Sequence, residues 1–205
     1  MSAGIAWRYW RRRLLRRLWA RDAWLLVRHH PPLGPPPLPL PPGYRLLAGE
    51  ELRVGYPDQP ARDARIRRRL ADARQVGLGL AWQGRLAYDT WIWRGPYREP
   101  ATRILLDPGP RGGVLLDSWT APAHRGRGLH AAMLLRRLDA AREMGLDPLL
   151  GLVHLDNAPA LAAQRGAGAE ALMRYVCRRL LGVGWRREEE AGWHDVELRA
   201  HSLSP

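Results

Sequence analysis

The distribution of apolar residues predicts alternating strands and helices from about residue 43 onward. Apolar positions recur every three or four residues over 58–75, over 129–144 and from 158 onward, which is the spacing of one helix face, and the arginines of 58–75 are expected to be exposed. The order of elements predicts a mixed α/β fold with one central mixed sheet of about six to seven strands and helices on both faces. Short apolar or alternating runs, typical of strands, lie at 44–48, 76–82, 85–93, 102–107, 114–120, 149–153, 169–181 (where a helix over 170–181 also fits) and 184–198.

Residues 5–28 carry a different pattern, which predicts an amphipathic helix ahead of the domain. Trp7, Trp10, Leu14 and Leu18 are spaced three or four residues apart, and arginines occupy many of the remaining positions. The segment lacks the ~20 uncharged apolar residues of a membrane span. Two roles stay open: the tryptophan face packs on the domain or on a second subunit of a dimer, or the helix lies on an anionic membrane surface. Contact with nucleic acid is a weaker third role.

A proline-rich stretch at 31–42 separates this helix from the domain. Proline fixes φ and lacks the amide donor, so the stretch predicts a semi-rigid polyproline connector. The predicted division is therefore a basic amphipathic helix at 1–30, a linker at 31–42 and one domain at 43–205. His29 and His30, beside the prolines, are expected to face solvent.

Composition narrows the function classes. The single cysteine, Cys177, excludes an intramolecular disulfide and indicates a reducing, cytoplasmic compartment, with peripheral membrane contact as the alternative noted above. The formal net charge is +13, but residues 1–30 hold eight arginines against one acid, and the remainder is ordinary for a soluble domain. Lysine and phenylalanine are absent, a bias typical of GC-rich coding, so net charge is no argument for nucleic acid. The histidines show no metal-ligand spacing with Cys177, so no metal site is predicted.

The stretch from Thr120 to His130 is the strongest functional signal in the chain. It joins a predicted strand to a predicted helix and carries Gly126 and Gly128 beside two arginines. Glycines let a backbone approach a ligand closely, and the N–H groups at a helix N-terminus favour negative charge. The stretch therefore predicts an anion-binding loop.

This loop resembles the acyl-CoA-binding motif of the GNAT acetyltransferase superfamily. In that family a strand that ends near a proline leads to Gln/Arg-x-x-Gly-x-Gly/Ala at the start of a helix. Here Pro122 precedes Arg125-x-x-Gly128, and His130 stands at the third position in place of a small residue. Two roles are open for His130: it pairs with phosphate when protonated, or it is a large side chain for which an open groove has room.

A second block supports the resemblance, which covers about residues 43–200. Asn157-Ala-Pro-Ala160, followed by Gly168, resembles the family's Asn-x-x-Ala helix and the glycine after it. The resemblance implies the GNAT fold and the transfer of an acetyl or other acyl group from acyl-CoA to the amine of a small molecule or peptide. The residues do not indicate which acceptor.

The resemblance also implies which residues hold acetyl-CoA or another acyl-CoA. The strand end would pair with the pantetheine arm, and the loop would hold the pyrophosphate on backbone N–H groups. Asn157 would touch the arm or cap its own helix. The implied cofactor-binding residues are Trp119, Thr120, Ala121, Arg125, Gly126, Arg127, Gly128, Leu129, His130 and Asn157.

The catalytic groups are harder to assign. Acyl transfer to an amine needs a base or water for the amine proton, and donors for the oxyanion and the thiolate. The family's oxyanion donor, a backbone N–H, would fall near Trp119. Asp117 is the first candidate base, although it also fits a strand-end carboxylate paired with an arginine, and His154 is the second. Gln164 stands where the family often has a tyrosine acid, so Tyr175 or solvent would serve instead.

Two other functions remain compatible with these residues. Gln164 and His130 are also compatible with a degenerate GNAT domain that binds acyl-CoA without turnover. Alternatively, the basic N-terminal helix is the working part of a protein associated with a membrane surface or with nucleic acid.

Overall fold

The computed structural model describes residues 19–31, 39–100, 102–180 and 183–194, and a mixed sheet of eight strands runs through them. The strands in these residues are β1 (Trp19–His29), β2 (Tyr44–Ala48), β3 (Gln75–Trp82), β4 (Arg85–Arg94), β5 (Tyr97–Arg98), β6 (Leu105–Leu106), β7 (Gly113–Thr120), β8 (Leu149–His154), β9 (Glu170–Leu180) and β10 (Val183–Glu190). Across the sheet the order is β10-β9-β1-β8-β7-β4-β3-β2. Only β7 and β8 run parallel, and the other described neighbours are antiparallel.

Helices cover both faces of this sheet: α1 (Pro60–Leu70), α2 (Leu129–Glu143) and α3 (Ala158–Gly166). Neighbouring residues of a strand point to opposite faces. Trp91 of β4 lies in one core cluster with Ile66 of α1, whereas Ile92 lies in another with Leu134 of α2. The predicted α/β fold is thus confirmed, with eight strands in the sheet. None of the helices in the described ranges is long and apolar enough to cross a lipid bilayer.

Residues 19–29 form a strand in the interior of the sheet, so the predicted helix is wrong for this part of the chain. β1 hydrogen-bonds to β8 on one side and to β9 on the other. Leu25 and Val27 are fully buried in the cluster that contains Leu161 of α3. β1 therefore belongs to the same sheet as the domain predicted at 43–205. The remainder of the predicted helix, residues 5–18, lies outside the described residues, as does most of the proline connector.

A buried histidine ends β1, contrary to the expectation that both neighbouring histidines face solvent. His29 is 1% exposed, and its Nε2 hydrogen-bonds to the Oε1 atom of Gln164 on α3. His30 is exposed as expected and lies 2.7 Å from a carboxylate oxygen of Asp147. His29 therefore links the strand to α3.

Most other predicted elements are confirmed with shifts of a few residues. β3 and β4 match the runs at 76–82 and 85–93 and form a hairpin through Gln83 and Gly84, and the ambiguous run at 170–181 is strand over 170–180. α1 ends at Leu70 and is shorter than predicted. A short strand that was not predicted, β5, pairs with β6 in a separate ribbon.

The sheet opens between its two parallel strands. β7 and β8 pair over three positions, which end with Leu115 opposite Gly151. Beyond these residues no pairing joins the two strands, and each continues towards its C-terminal end beside its other neighbour. The divergence creates a cleft that is reached from both faces of the sheet.

Candidate functional site

The cleft between β7 and β8 has a volume of about 1560 Å³. Residues from α1 line it on one face of the sheet, and residues from α2 and α3 line it on the other. The predicted site residues on its wall are Asp117, Trp119, Thr120, Arg125, Gly126, Arg127, Gly128, Leu129, His130, His154 and Asn157. The fold thus brings together most of the residues singled out from the sequence.

A β-bulge lies in β7 at the point where the strand faces the cleft. Leu116 pairs with Trp91 and Trp119 pairs with Asp89, so two residues of β7 stand opposite Thr90 alone. The first of the two, Asp117, has a φ of 30°. A bulge leaves one residue out of the regular ladder and redirects its backbone groups. Backbone groups of β7 are therefore available towards the cleft where the oxyanion donor was expected.

Arg137 of α2 holds this bulge from the opposite face. Its side chain is 2% exposed, and its Nη1 donates to Thr90 Oγ1, to the Leu116 carbonyl at 3.2 Å and to Ser118 Oγ at 3.2 Å. Its Nε has no partner among the described residues. Burial lowers the pKa of the guanidinium. Arg137 thus places a cationic group under the bulge and fixes both strands there.

The anion-binding loop leads into the uncapped N-terminus of α2. Gly126 and Gly128 have φ values of 73° and 71°, and no atom lies within 4 Å of the position where a Cβ would be. Gly128 is the N-cap residue, and no side chain accepts from the first turn of the helix. The N–H groups of a first turn have no intrahelical acceptor. Unpaired donors and open space therefore coincide on the cleft wall.

The two arginines of the loop turn back onto the protein. Arg125 Nε donates to the Thr120 carbonyl at 3.3 Å. Arg127 donates to Tyr44 Oη at 3.4 Å and to the Ala123 carbonyl at 3.3 Å. Both side chains are exposed and carry further N–H groups, so they add positive charge beside the helix N-terminus.

His130 is partly buried in the first turn of α2. Its Nδ1 hydrogen-bonds to Tyr88 Oη at 3.0 Å, and its buried Nε2 has no partner within the described residues. Burial, and to a smaller extent the charge of Arg137, lowers the pKa of His130 to about 4. The ring is therefore neutral at pH 7. This favours the interpretation that His130 is a large side chain for which the groove has room, and not a cation that pairs with phosphate.

His29 and His130 predict a loss of stability in mild acid, because burial lowers the pKa of each ring. Burial lowers the pKa of both His29 and His130 to about 4, from 6.5. Between these values the unfolded chain binds protons that the folded chain does not, so stability present above pH 6.5 is lost as the pH falls towards 4. The loss between pH 6.5 and pH 5 is at most about 2 kcal/mol per histidine.

Urea unfolding at pH 7 and pH 5 should give a smaller pH dependence of the unfolding free energy for His130→Gln than for the natural chain. His30→Gln, at an exposed site, should retain the natural dependence, and equal dependence in all three proteins would contradict the prediction.

Asp117, the first candidate base, is engaged by arginines of α1. Its Oδ2 lies 3.1 Å from Arg65, 3.2 Å from Arg69 and 3.7 Å from Arg62. The alternative reading of Asp117 as a strand-end carboxylate that pairs with arginine matches these contacts. The Oδ2 atom of this carboxylate is thus already engaged by guanidinium groups, and Asp117 helps to position α1 over the cleft.

His154, the second candidate base, has both ring nitrogens directed at protein groups. Its Nδ1 accepts from the Asp156 amide at 3.2 Å, which places the proton of the neutral ring on Nε2. The Nε2 lies 3.5 Å from a carboxylate oxygen of Asp22. The ring packs edge-on against Trp24, with centroids 4.9 Å apart. In this arrangement the lone pair of His154 does not face the cleft.

Three other predicted positions differ from expectation. Tyr175 is buried in the core cluster that contains Trp91 and does not line the cleft. Gln164 reaches the cleft wall, but its Oε1 is bound to His29. Ala121 has no free backbone group for pantetheine, because its N–H donates to the Ala87 carbonyl and its carbonyl accepts from the His124 amide, both at 2.8 Å. Asn157 lines the cleft and caps α3, since its Oδ1 accepts from the Ala160 amide at 3.3 Å.

Sequence reasoning missed Arg137 and the inward arginines of α1. Arg137 falls among the apolar positions of α2, three residues after Leu134 and one before Leu138. A charged residue within an apolar helix face is a signal for a buried, hydrogen-bonded group. Arg62 and Arg69 were expected to be exposed with the other arginines of 58–75, yet their side chains are only 10% and 15% exposed.

Comparisons with known proteins bear on the fold. No family model matches the sequence, and no curated protein matches it significantly. The chain is similar to a tandem GNAT protein from the clavulanic acid biosynthesis pathway, with a TM-score of 0.55 and 19% identity over 82% of this chain and 53% of that chain. A Drosophila protein gives a TM-score of 0.54 and 11% identity over 89% and 60% of the two chains. A GCN5-related N-acetyltransferase from Sphaerobacter thermophilus gives a TM-score of 0.51 and 16% identity over 93% and 58%.

The chain therefore spans between 53% and 60% of the length of these three proteins. At these identities the likeness concerns the fold. Two of the three are GNAT proteins by name, so the expected resemblance is confirmed for the arrangement of strands and helices.

Proposed function

We propose that this chain, which has the GNAT fold, transfers an acyl group from acyl-CoA to an amine. The observation that carries the proposal is the uncapped N-terminus of α2, where Gly126 and Gly128 open onto the cleft. N–H donors, the helix dipole and nearby arginines suit a pyrophosphate. The cleft extends from there past the bulge of β7 to the opposite face of the sheet.

The residues present fit an acyl-CoA molecule. The N–H groups from Gly126 to His130 would bind the pyrophosphate, while Arg125 and Arg127 add charge. Backbone groups of Trp119 and Thr120 would pair with the pantetheine arm, and Ala121 is left out because its backbone is already bonded. Acetyl-CoA is the simplest donor of this class. When bound, it supplies an activated acyl group as a thioester.

The chain's own groups orient and stabilise the reaction. A backbone N–H of the bulge in β7 would hold the developing oxyanion, and Arg137 beneath it adds positive charge. Asp117 and His154 remain the candidate bases by position, but their contacts favour roles in orientation. Water in the open cleft is then the acceptor of the amine proton and the donor to the thiolate, because the Gln164 carboxamide is not an acid and Tyr175 does not line the cleft.

Gly128→Glu tests the proposed cofactor site. We expect the dissociation constant of CoA, measured by isothermal titration calorimetry, to rise at least 100-fold, which corresponds to about 2.7 kcal/mol. A carboxylate at this position occupies the open space and repels the phosphates. Gly145→Glu is the matched control, because Gly145 also has a positive φ (69°) and follows the other end of the same helix, away from the cleft. Undiminished CoA binding by Gly128→Glu would remove the assignment.

A domain that binds acyl-CoA without turnover is the second candidate function. Two observations favour it: a carboxamide, Gln164, stands where an acid was expected and is bound to His29, and Tyr175 does not line the cleft. Release of free thiol from acetyl-CoA in the presence of an amine panel separates the two functions. CoA binding with no thiol release from any donor or amine would assign the binding role.

A further inference from the structure

We propose that the arginines of α1 that line the cleft, Arg65, Arg68 and Arg69, bind a carboxylate of the acyl-transfer substrate. The carboxylate is carried by the acceptor amine or by the acyl group. The inference rests on the proposed function for the nature of the substrate, whereas binding of an anion at these arginines does not require turnover.

The spacing of these arginines places them on one side of α1. Positions three and four residues apart are neighbours on a helix surface, so Arg65 lies beside both Arg68 and Arg69. All three line the cleft. α1 covers the face of the sheet opposite to α2, as the separate clusters around Trp91 and Ile92 show. The arginines therefore meet a ligand at the opposite mouth of the cleft from the pyrophosphate loop.

The charges at this mouth are unequal. Arg65 and Arg69 share one carboxylate, Asp117, at 3.1 and 3.2 Å. Arg68 is exposed and has no ion pair with any residue that the structure describes. Glu99 is the other acidic residue on this part of the wall. Three guanidinium groups thus face two carboxylates and leave a net positive charge before any substrate is bound.

The guanidinium of Arg69 is incompletely hydrogen-bonded within the protein. The Nη1 atom of Arg69 is buried and has no hydrogen-bond partner among the described residues. Leaving a buried donor unpaired is unfavourable by about 1–3 kcal/mol, more for a charged group. Burial also lowers the pKa of Arg69. Because Arg69 also lines the cleft, a ligand carboxylate beside it would stabilise this incompletely paired charge.

The chemistry of the arginine cluster favours a carboxylate. The planar guanidinium matches two carboxylate oxygens in a fork geometry. The contacts of Asp117 show that Arg65 and Arg69 already bind a carboxylate oxygen at ordinary ion-pair distance. Because Asp117 lies in the bulge of β7, a bound carboxylate would lie near the point of transfer.

Binding of succinate to the CoA-saturated full-length chain tests the site without turnover. Titration calorimetry compares the natural chain with Arg65→Gln/Arg68→Gln and with Arg67→Gln. Arg67 is exposed on the same helix and does not line the cleft, so it is the matched control. We expect at least tenfold weaker succinate binding in the double variant and unchanged binding in the control. The affinity for CoA should be equal in all three proteins.

Initial rates of thiol release then locate the carboxylate. The acceptors are amino acids paired with their carboxamides, which differ in the negative charge, and the donors are acetyl-CoA and succinyl-CoA. At least tenfold higher kcat/KM for the amino acids places the carboxylate on the acceptor. At least tenfold higher kcat/KM for succinyl-CoA places it on the acyl group. In the double variant the ratio of the kcat/KM values within the preferred pair should fall close to one. In Arg67→Gln the ratio should be that of the natural chain.

The proposal is overturned if the natural chain shows neither succinate binding nor a preference within these pairs. It is also overturned if the double variant loses CoA affinity tenfold, since the arginines would then bind the cofactor, or if inorganic phosphate binds ten times more tightly than succinate. If no combination of donor and acceptor releases thiol, the proposed enzyme activity is wrong, but the anion site is still tested by succinate binding. Weaker succinate binding in the double variant then supports the anion site, and unchanged succinate binding contradicts the site.

Discussion

A chain that lacks residues 1–30 is expected to lose its folded structure, whereas a chain that begins at Trp19 keeps it. The first deletion removes β1, and the second retains the whole strand. Far-UV circular dichroism, thermal melting and gel filtration of the two proteins beside the full chain measure the effect. We expect no cooperative melting for the chain without residues 1–30, and a melting temperature within a few degrees of the full chain for the other.

The reason is the interior position of β1. Its removal leaves the facing edges of β8 and β9 without partners, and unpaired edges promote aggregation. It also uncovers the cluster that holds Leu25 and Val27, each worth about 1.5–3 kcal/mol on burial. With the lost ladder and the lost contact of His29 to α3, the change is comparable with the entire net stability of a domain, about 5–15 kcal/mol. Cooperative melting near the natural temperature without residues 1–30 would show that β1 is dispensable.

Asp89→Ala is expected to reduce the free energy of unfolding by about 3–5 kcal/mol. Asp89 is 1% exposed and accepts from four donors: Tyr56 Oη at 2.8 Å, Arg62 Nε and Nη2 at 2.8 Å each, and Trp91 Nε1 at 2.9 Å. Its removal leaves a nearly buried guanidinium and two other donors without an acceptor. Urea unfolding followed by tryptophan fluorescence measures the loss.

Two further variants test the cause of that loss. Asp139→Ala removes the carboxylate of an exposed pair with Arg142, where the side chains are 33% and 43% exposed, and should reduce stability by less than about 1 kcal/mol. Arg62→Met combined with Asp89→Ala should be more stable than Asp89→Ala alone, because no unpaired buried charge remains. A double variant at least as unstable as the single one would indicate that packing, and not the unpaired charge, determines the loss.

The carboxylate of Asp89 also supports one wall of the cleft through its hydrogen-bond donors. The guanidinium of Arg62 lies over the ring of Trp119, with its carbon 4.7 Å from the ring centre. Tyr56 meets that ring edge-on at 4.6 Å. Trp119 lines the cleft, so Asp89 positions one of its walls through both neighbours. Asp89→Ala should therefore also weaken CoA binding if the proposed function holds.

Much of the fold could be predicted because its signals are local. The face of α2 repeats every three to four residues, and β3 and β4 are apolar runs separated by Gln83 and Gly84. The candidate anion loop could be found for the same reason, since its proline, arginine and glycines lie within seven residues of one another. Such features depend on neighbours along the chain and hardly on the remainder of the molecule.

The prediction of β1 failed because its local signal is ambiguous. The tryptophans and leucines of residues 7–18 follow helical spacing, and the pattern runs directly into the apolar residues 23–27. A short apolar run fits either a buried strand or a buried helix segment. The choice is made by β8 and β9, whose paired residues lie 120 or more positions further along the chain. Hydrogen bonds to these distant strands outweigh local helix propensity.

The sequence by itself determined most of the succession of strands and helices after β1 and the glycine-bearing loop at the start of α2, because these follow from side-chain period and backbone freedom. Tertiary structure alone decided that β1 completes the sheet, that β7 and β8 separate into a cleft, and that Asp117 meets the arginines of α1. It also decided that the surroundings of His130 lower the pKa of its ring to about 4. These outcomes depend on burial and on partners from remote segments, which no pattern of neighbouring residues specifies.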